Sequence, residues 1–164
     1  MKKILITLSC AILLMSCKTS NVTSALNTTK NNVAVSIDLV NVIDDKVKVT
    51  ITNPTITTET TTFNIPKIVP GTYSEDNYGR FVENVKAFDA KGNPLKIAKM
   101  DENSYTIYDA TKLAKVTYNV SDTYDTEGGA GFGESEDIFS PAGTNIKAGE
   151  NFMLNTHGFV GYFE

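Results

Sequence analysis

The chain is poor in the side chains that catalysis draws on most often: two cysteines, one histidine, one arginine and no tryptophan in 164 residues. A single histidine, His157, cannot build a histidine-rich metal cage. A serine nucleophile would have to recruit that same histidine, and no Gly-x-Ser-x-Gly elbow occurs anywhere. Basic residues are outnumbered by acidic ones, for a formal net charge of −4, and they form no patch, which excludes nucleic acid as the expected partner. The spacing of an EF-hand and the Gly-x-Gly-x-x-Gly of a dinucleotide loop are both missing.

The two cysteines stand where export chemistry uses them. Met1-Lys2-Lys3 is followed by an apolar run from Ile4 to Leu14 and then by Leu14-Met15-Ser16-Cys17. A basic start, a short apolar core and a small residue before the cut are the layout of a bacterial export signal. The core is shorter than the ~20 apolar residues a membrane-spanning helix needs. Leu-x-Ser-Cys resembles the lipobox of bacterial lipoproteins, so residues 1–16 are expected to be a lipoprotein signal peptide and Cys17 the lipidated residue. Cys10 would leave with the signal, and no thiol would remain for a disulfide or a cysteine nucleophile. Residues 17–32, rich in Ser, Thr, Asn and Lys, read as a flexible tether. The expected location is the bacterial cell envelope, lipid-anchored to a membrane and facing the periplasm or the cell surface.

Residues 33–164 suffice for one domain with a single core. Alternation of apolar and polar residues predicts half-buried strands at Val33-Val35-Ile37-Leu39 and Val47-Val49-Ile51, a first hairpin turning at Asp44-Asp45. Further strands are expected at 57–65, 83–90 and 95–98, around Tyr105-Ile107 and over Val116-Tyr118-Val120, with apolar segments at 138–139, 146, 152–154 and 159–163. Turn residues fall between them, as at Lys91-Gly92-Asn93-Pro94 and Asp101-Glu102-Asn103. Short strands at close spacing predict an all-β, antiparallel β-sandwich. The one expected helical piece is about a turn at 110–114.

Two stretches invite a functional reading. In the first, Ile65 to Phe81, Pro70-Gly71 predicts a type II reversal, since proline fixes φ near −65° and glycine accepts the positive φ that follows. The reversal carries Tyr73, Tyr78 and Arg80, the sole arginine. In the second, Asp122, Asp125, Glu127, Glu134, Glu136 and Asp137 surround Gly128 to Gly133, with no lysine or arginine between Val116 and Ile146. A solvated surface loop is the expected form, its potential negative. Glu134, Glu136 and Asp137 are candidates to attract the free amine of a peptide.

The order of motifs also carries a family resemblance. Pro70-Gly71-x-Tyr73, Gly79-Arg80-Phe81-Val82, Val85-x-Ala87-Phe88-Asp89-Ala90-x-Gly92-x-Pro94-Leu95 and Val116-Thr117-Tyr118-x-Val120 resemble the N-terminal domain of the glycyl-aminopeptidase family. That family, metallopeptidase family sixty-one, comprises zinc aminopeptidases with a PDZ domain. The closing segment, 155–164, looks like the same domain's last strands. One departure is Ile68, where many members carry tryptophan. The resemblance implies a β-sandwich that packs on a catalytic domain and helps to form the substrate cleft. It transfers no catalytic residue: the His-Glu-x-x-His motif is absent here, and zinc is expected only in the catalytic domain, which this sequence does not contain. Glu164 directly follows an apolar, strand-like run, the ending expected of a chain cut before a further part.

Within this reading Pro70, Gly71, Tyr73, Tyr78 and Arg80 are interface or cleft candidates, and the partners are the membrane and either the catalytic domain of the same parent protein or a peptide substrate. Arg80 has two expected uses, a bidentate pair with a carboxylate of the neighbouring domain or a local pair with Glu75, Asp76 or Glu83. The alternative to the whole reading is a stand-alone surface or periplasmic lipoprotein that binds a protein or glycan. The anchor itself is testable in cells fed an alkyne-labelled fatty acid. The wild-type chain should take up label and fractionate with membranes, whereas Cys17→Ala should do neither; a variant that still labels refutes the lipid assignment.

Overall fold

A computed structural model describes residues 32–71, 75–123 and 143–164. Among these residues eleven strands follow in chain order: β1 (Ala34–Ile43), β2 (Lys46–Thr52), β3 (Thr60–Asn64), β4 (Val82–Asp89), β5 (Pro94–Leu95), β6 (Ile97–Lys99), β7 (Ser104–Tyr108), β8 (Leu113–Ser121), β9 (Asn145–Lys147), β10 (Asn151–Met153) and β11 (Tyr162–Phe163). They form a five-stranded sheet ordered β1-β2-β8-β4-β5, a four-stranded sheet ordered β11-β3-β7-β6 and the hairpin β9-β10, every pairing antiparallel. The fold is all-β. Its core is shared by the two larger sheets, with Val47, Val49, Ile51, Val116, Tyr118 and Val120 from one and Phe63, Tyr105 and Ile107 from the other.

The expected first hairpin is present. Asp44 and Asp45 both take positive φ, 51° and 50°, the conformation that lets a two-residue turn follow the right-handed twist of its strands. Strand β1 departs from expectation, because several of its apolar side chains stay exposed. Val35 pairs across from Ile51, so both lie on the core side of the sheet, yet Val35 is 43% exposed and Ile51 only 1%. Val35 instead lines an open groove with Pro54, Ile56 and residues 160–164. Farther along, the Asp38 carboxylate accepts the N–H groups of Val40 and Asn41, both at 3.0 Å, where pairing with β2 becomes irregular.

The segment expected as one strand at 95–98 is divided. Leu95 pairs with Ala87 in the five-stranded sheet, and Ile97 pairs with Ile107 in the four-stranded one, so the chain changes sheet at Lys96. Such a corner joins the two layers by covalent backbone. The helical turn near 110 is present as a short 3-10 turn, Ala110–Lys112, and two more turns lie at Tyr78–Phe81 and Thr156–Phe159.

The C-terminal strand is fastened at both faces. Tyr118 donates its hydroxyl hydrogen to the Phe159 carbonyl, 2.8 Å away, and its oxygen accepts the Gly161 N–H at 3.1 Å. Burial pushes the Tyr118 phenol upward from its ordinary pKa, so the neutral donor form persists across the physiological range. Phe63 stands 5.6 Å from the Tyr118 ring and 5.3 Å from that of Phe163, while a Cβ at Gly161 would strike the Phe63 ring. Thr61 Oγ1 and the Thr62 N–H both donate to the Glu164 carbonyl. Tyr118→Phe keeps the ring but leaves the Phe159 carbonyl and Gly161 N–H unpaired, which should cost about 1–3 kcal/mol in urea unfolding. A loss below ~0.5 kcal/mol, the scatter of ordinary surface substitutions, would refute this role.

Candidate functional site

The segment from Ile65 to Phe81 reverses as its proline and glycine demand. Gly71 has φ +96°, and the returning chain is held because the Lys67 carbonyl accepts the N–H groups of Asp76 and Asn77, each at 2.9 Å. Pro70 and Gly71 are exposed at the tip. Tyr73, the middle candidate, lies outside the described residues, and so do Cys17, Glu134, Glu136 and Asp137.

The two remaining candidates are placed differently from each other. Tyr78 is 3% exposed, its ring against Gly158, where a Cβ would come within 2.6 Å of the ring carbons. Its hydroxyl donates to an Asp76 carboxylate oxygen at 3.2 Å. Burial first, and the Asp76 charge second, push its pKa upward. Arg80 is exposed; its Nε donates to the Asp76 backbone carbonyl at 3.0 Å and its guanidinium lies 4.5 Å from the centre of the Phe81 ring. A cation over an aromatic face and a carbonyl bond give that guanidinium a fixed orientation.

A residue that sequence reading left as an ordinary turn residue holds this segment in place. Asn103 is 1% exposed. Its side-chain oxygen accepts the Gly79 N–H at 2.8 Å, and its side-chain nitrogen donates to Asn77 Oδ1 at 3.0 Å. Its backbone carbonyl accepts the Ile65 N–H at 2.8 Å, and its own N–H donates to Asp101 Oδ1 at 2.8 Å. That bond from Asn103 leads the causes that hold the exposed Asp101 carboxyl below its ordinary pKa. A lowered carboxyl pKa contributes stability above the unfolded value, and the contribution is lost as pH falls through the folded value. Gly79 is required where it sits, since a Cβ would run into the Glu102 carbonyl.

Two open grooves flank β11. The first, about 620 Å³, is walled by Val33, Val35, Pro54, Ile56 and residues 160–164; the second, about 440 Å³, by Pro66, Ile68, Pro70, Ser104, His157 and Tyr162 among others. Sequence reading missed both. The apolar run ending in Tyr162-Phe163 was their one visible signal. No group of three or more His, Cys, Asp or Glu among the described residues is placed to hold a metal ion.

Residues 34–164 match the model of the Peptidase M61 N-terminal domain. The chain belongs to that family. Among solved structures, an aminopeptidase N family protein from Idiomarina loihiensis shares the fold, with a TM-score of 0.50 and 18% identity over 56% of this chain. The chain covers only 15% of that protein. Comparison with curated proteins gave no match. For the M61 N-terminal domain described here, Asn103→Ala should cost about 1–3 kcal/mol by stranding the buried Gly79 N–H. Gly79→Ala should cost a similar ~1–3 kcal/mol through overpacking against backbone. Chemical denaturation of both variants checks this, and wild-type midpoints in both would refute the role given to Asn103.

Proposed function

We propose that this chain is the non-catalytic N-terminal domain of a membrane-anchored M61 peptidase, packing on the peptidase domain and helping to wall its substrate cleft. The observation that carries the reading is the family match across 34–164, which spans the β-sandwich. The family's description puts the domain at the N-terminal side of a peptidase, and the longer aminopeptidase of like fold, of which it covers 15%, fits such a division of labour. Contact is also the use to which these side chains are best suited. The polar groups that converge around Asn103 are spent on one another, and the reversal they support presents Pro70, Gly71 and the oriented guanidinium of Arg80 at the surface. Arg80 is proposed to meet a carboxylate of the peptidase domain, for which a guanidinium offers paired donors. The lipid on Cys17 would keep the assembly at a membrane of the cell envelope.

The purified chain, assayed with zinc against aminoacyl anilides, should give no turnover above buffer. The same assay on an M61 peptidase domain should show a higher kcat/KM when this domain is fused to it than when it is absent. Turnover by the chain alone would overturn the non-catalytic role. Identical kinetics with and without the domain would remove the cleft contribution and favour a stand-alone binding module.

A further inference from the structure

No basic run shows in sequence order, but strand register gathers lysines on the outward face of the five-stranded sheet. Val49 and Val116 point into the core, so Lys48, Thr50, Lys115 and Thr117 beside them face outward. Ser36 pairs with Thr50, Lys86 with Thr117 and Phe88 with Lys115, which extends that face across β1 and β4. At ordinary strand spacing the Cα atoms of Lys48, Lys86 and Lys115 lie about 8–15 Å apart. None of the three makes an ion pair among the described residues. The carboxylates described on the same face are already engaged. Glu83 holds the Lys46 ammonium at 3.0 Å, and Asp38 accepts the N–H groups of Val40 and Asn41.

We propose that this face rests on the anionic headgroups of a phospholipid bilayer, with Lys48, Lys86 and Lys115 as its cations. The proposal rests on the anchored state put forward above and adds the orientation of the domain on its membrane. Charge selects the face: a chain of net charge −4 is repelled by an anionic surface as a whole, so approach is favoured only through a side of opposite sign. Shape selects a bilayer over a small ligand. A small molecule is held in a concavity, whereas these lysines lie on a sheet face and line neither groove beside β11. Lysine ammonium groups meet phosphate as point charges, without the fixed fork of arginine, and so suit a mobile array of headgroups. Cys17 precedes β1 by few enough residues that the extended chain between them spans at most about 60 Å. The lipid proposed there keeps the domain close to the surface, where an attraction too weak to capture a free protein still sets orientation.

The test uses the full chain as lipidated in cells, reconstituted into vesicles whose headgroups carry an energy acceptor. One set is phosphatidylglycerol with phosphatidylethanolamine, the other phosphatidylcholine alone. A donor dye is placed on Ser36→Cys, exposed on the lysine face, or on Thr60→Cys, exposed on the outward face of the other sheet. In the anionic vesicles transfer from position 36 should exceed that from position 60, and the difference should vanish in phosphatidylcholine and in high salt. Replacing all three lysines by glutamine should lower the docked-to-free ratio about 100-fold, roughly five-fold for each charge. Lys48→Gln with Lys86→Gln alone, which spares the Lys115 cation 4.9 Å from the Phe88 ring centre, should lower it about 25-fold. Thermal melts equal to wild type confirm that the fold is intact. Equal transfer from both positions, a preference for position 60, or a difference that survives both sets of substitutions would overturn the orientation while leaving the anchor in place. A chain that takes up no lipid would overturn the anchor and the orientation together.

Discussion

The side-chain amide of Asn103 ties the returning arm of the Pro70-Gly71 segment to the rest of the fold. Backbone bonds from Asp76 and Asn77 to Lys67 close the reversal on itself, but its prolines donate none with which to join a neighbouring strand. The amide supplies the missing partner: it accepts from Gly79 and donates to Asn77, while the backbone of the same residue accepts from Ile65 at the start of the stretch. One buried residue thus binds both ends of the reversal to the β6-β7 connection. A buried amide with all its groups paired is stable only as a complete set, since each unpaired group costs more than a made bond returns. The set needs glycine at 79 for approach and asparagine at 77 for its left-handed φ of 50°.

A second fixed point sits on the other side of the core. Tyr118, from the middle of the five-stranded sheet, reaches across to hold Phe159 and Gly161. Tyr78 then fills the space that Gly158 leaves. The Pro-Gly segment and the C-terminal turn are therefore packed on each other, and the grooves on either side of β11 inherit their shape from both. What is exposed there is set by what is buried behind it.

Local sequence revealed the features that local chemistry controls. The Asp44-Asp45 turn, the Gly71 reversal and the alternation of β2, β7 and β8 follow from dihedral preference and period alone. Features that depend on a distant layer were not legible. Alternation in β1 showed which side chains face one way, but that Val35 opens onto a groove walled by residues 160–164 depends on a segment more than a hundred residues later. Leu95 to Ala98 has no residue that announces a change of sheet at Lys96. Tyr78 reads as a surface aromatic because its neighbours are polar, and its burial comes from Gly158. Asn103 has the composition of a turn, and only the approach of Gly79 turns it into the centre of a network.

The Asp38 carboxylate gives β1 a safeguard of another kind. Among the described strands β1 is the last of its sheet, and an edge carrying Val35, Leu39, Val40 and Ile43 is a template onto which another chain's strand can dock. By taking the N–H groups of Val40 and Asn41, the carboxylate withdraws two backbone donors from strand pairing. Those bonds, the one from Asn41 foremost, also hold its pKa below the ordinary value. The exposed apolar end of β1 thus carries fewer open backbone donors than a regular strand would offer there.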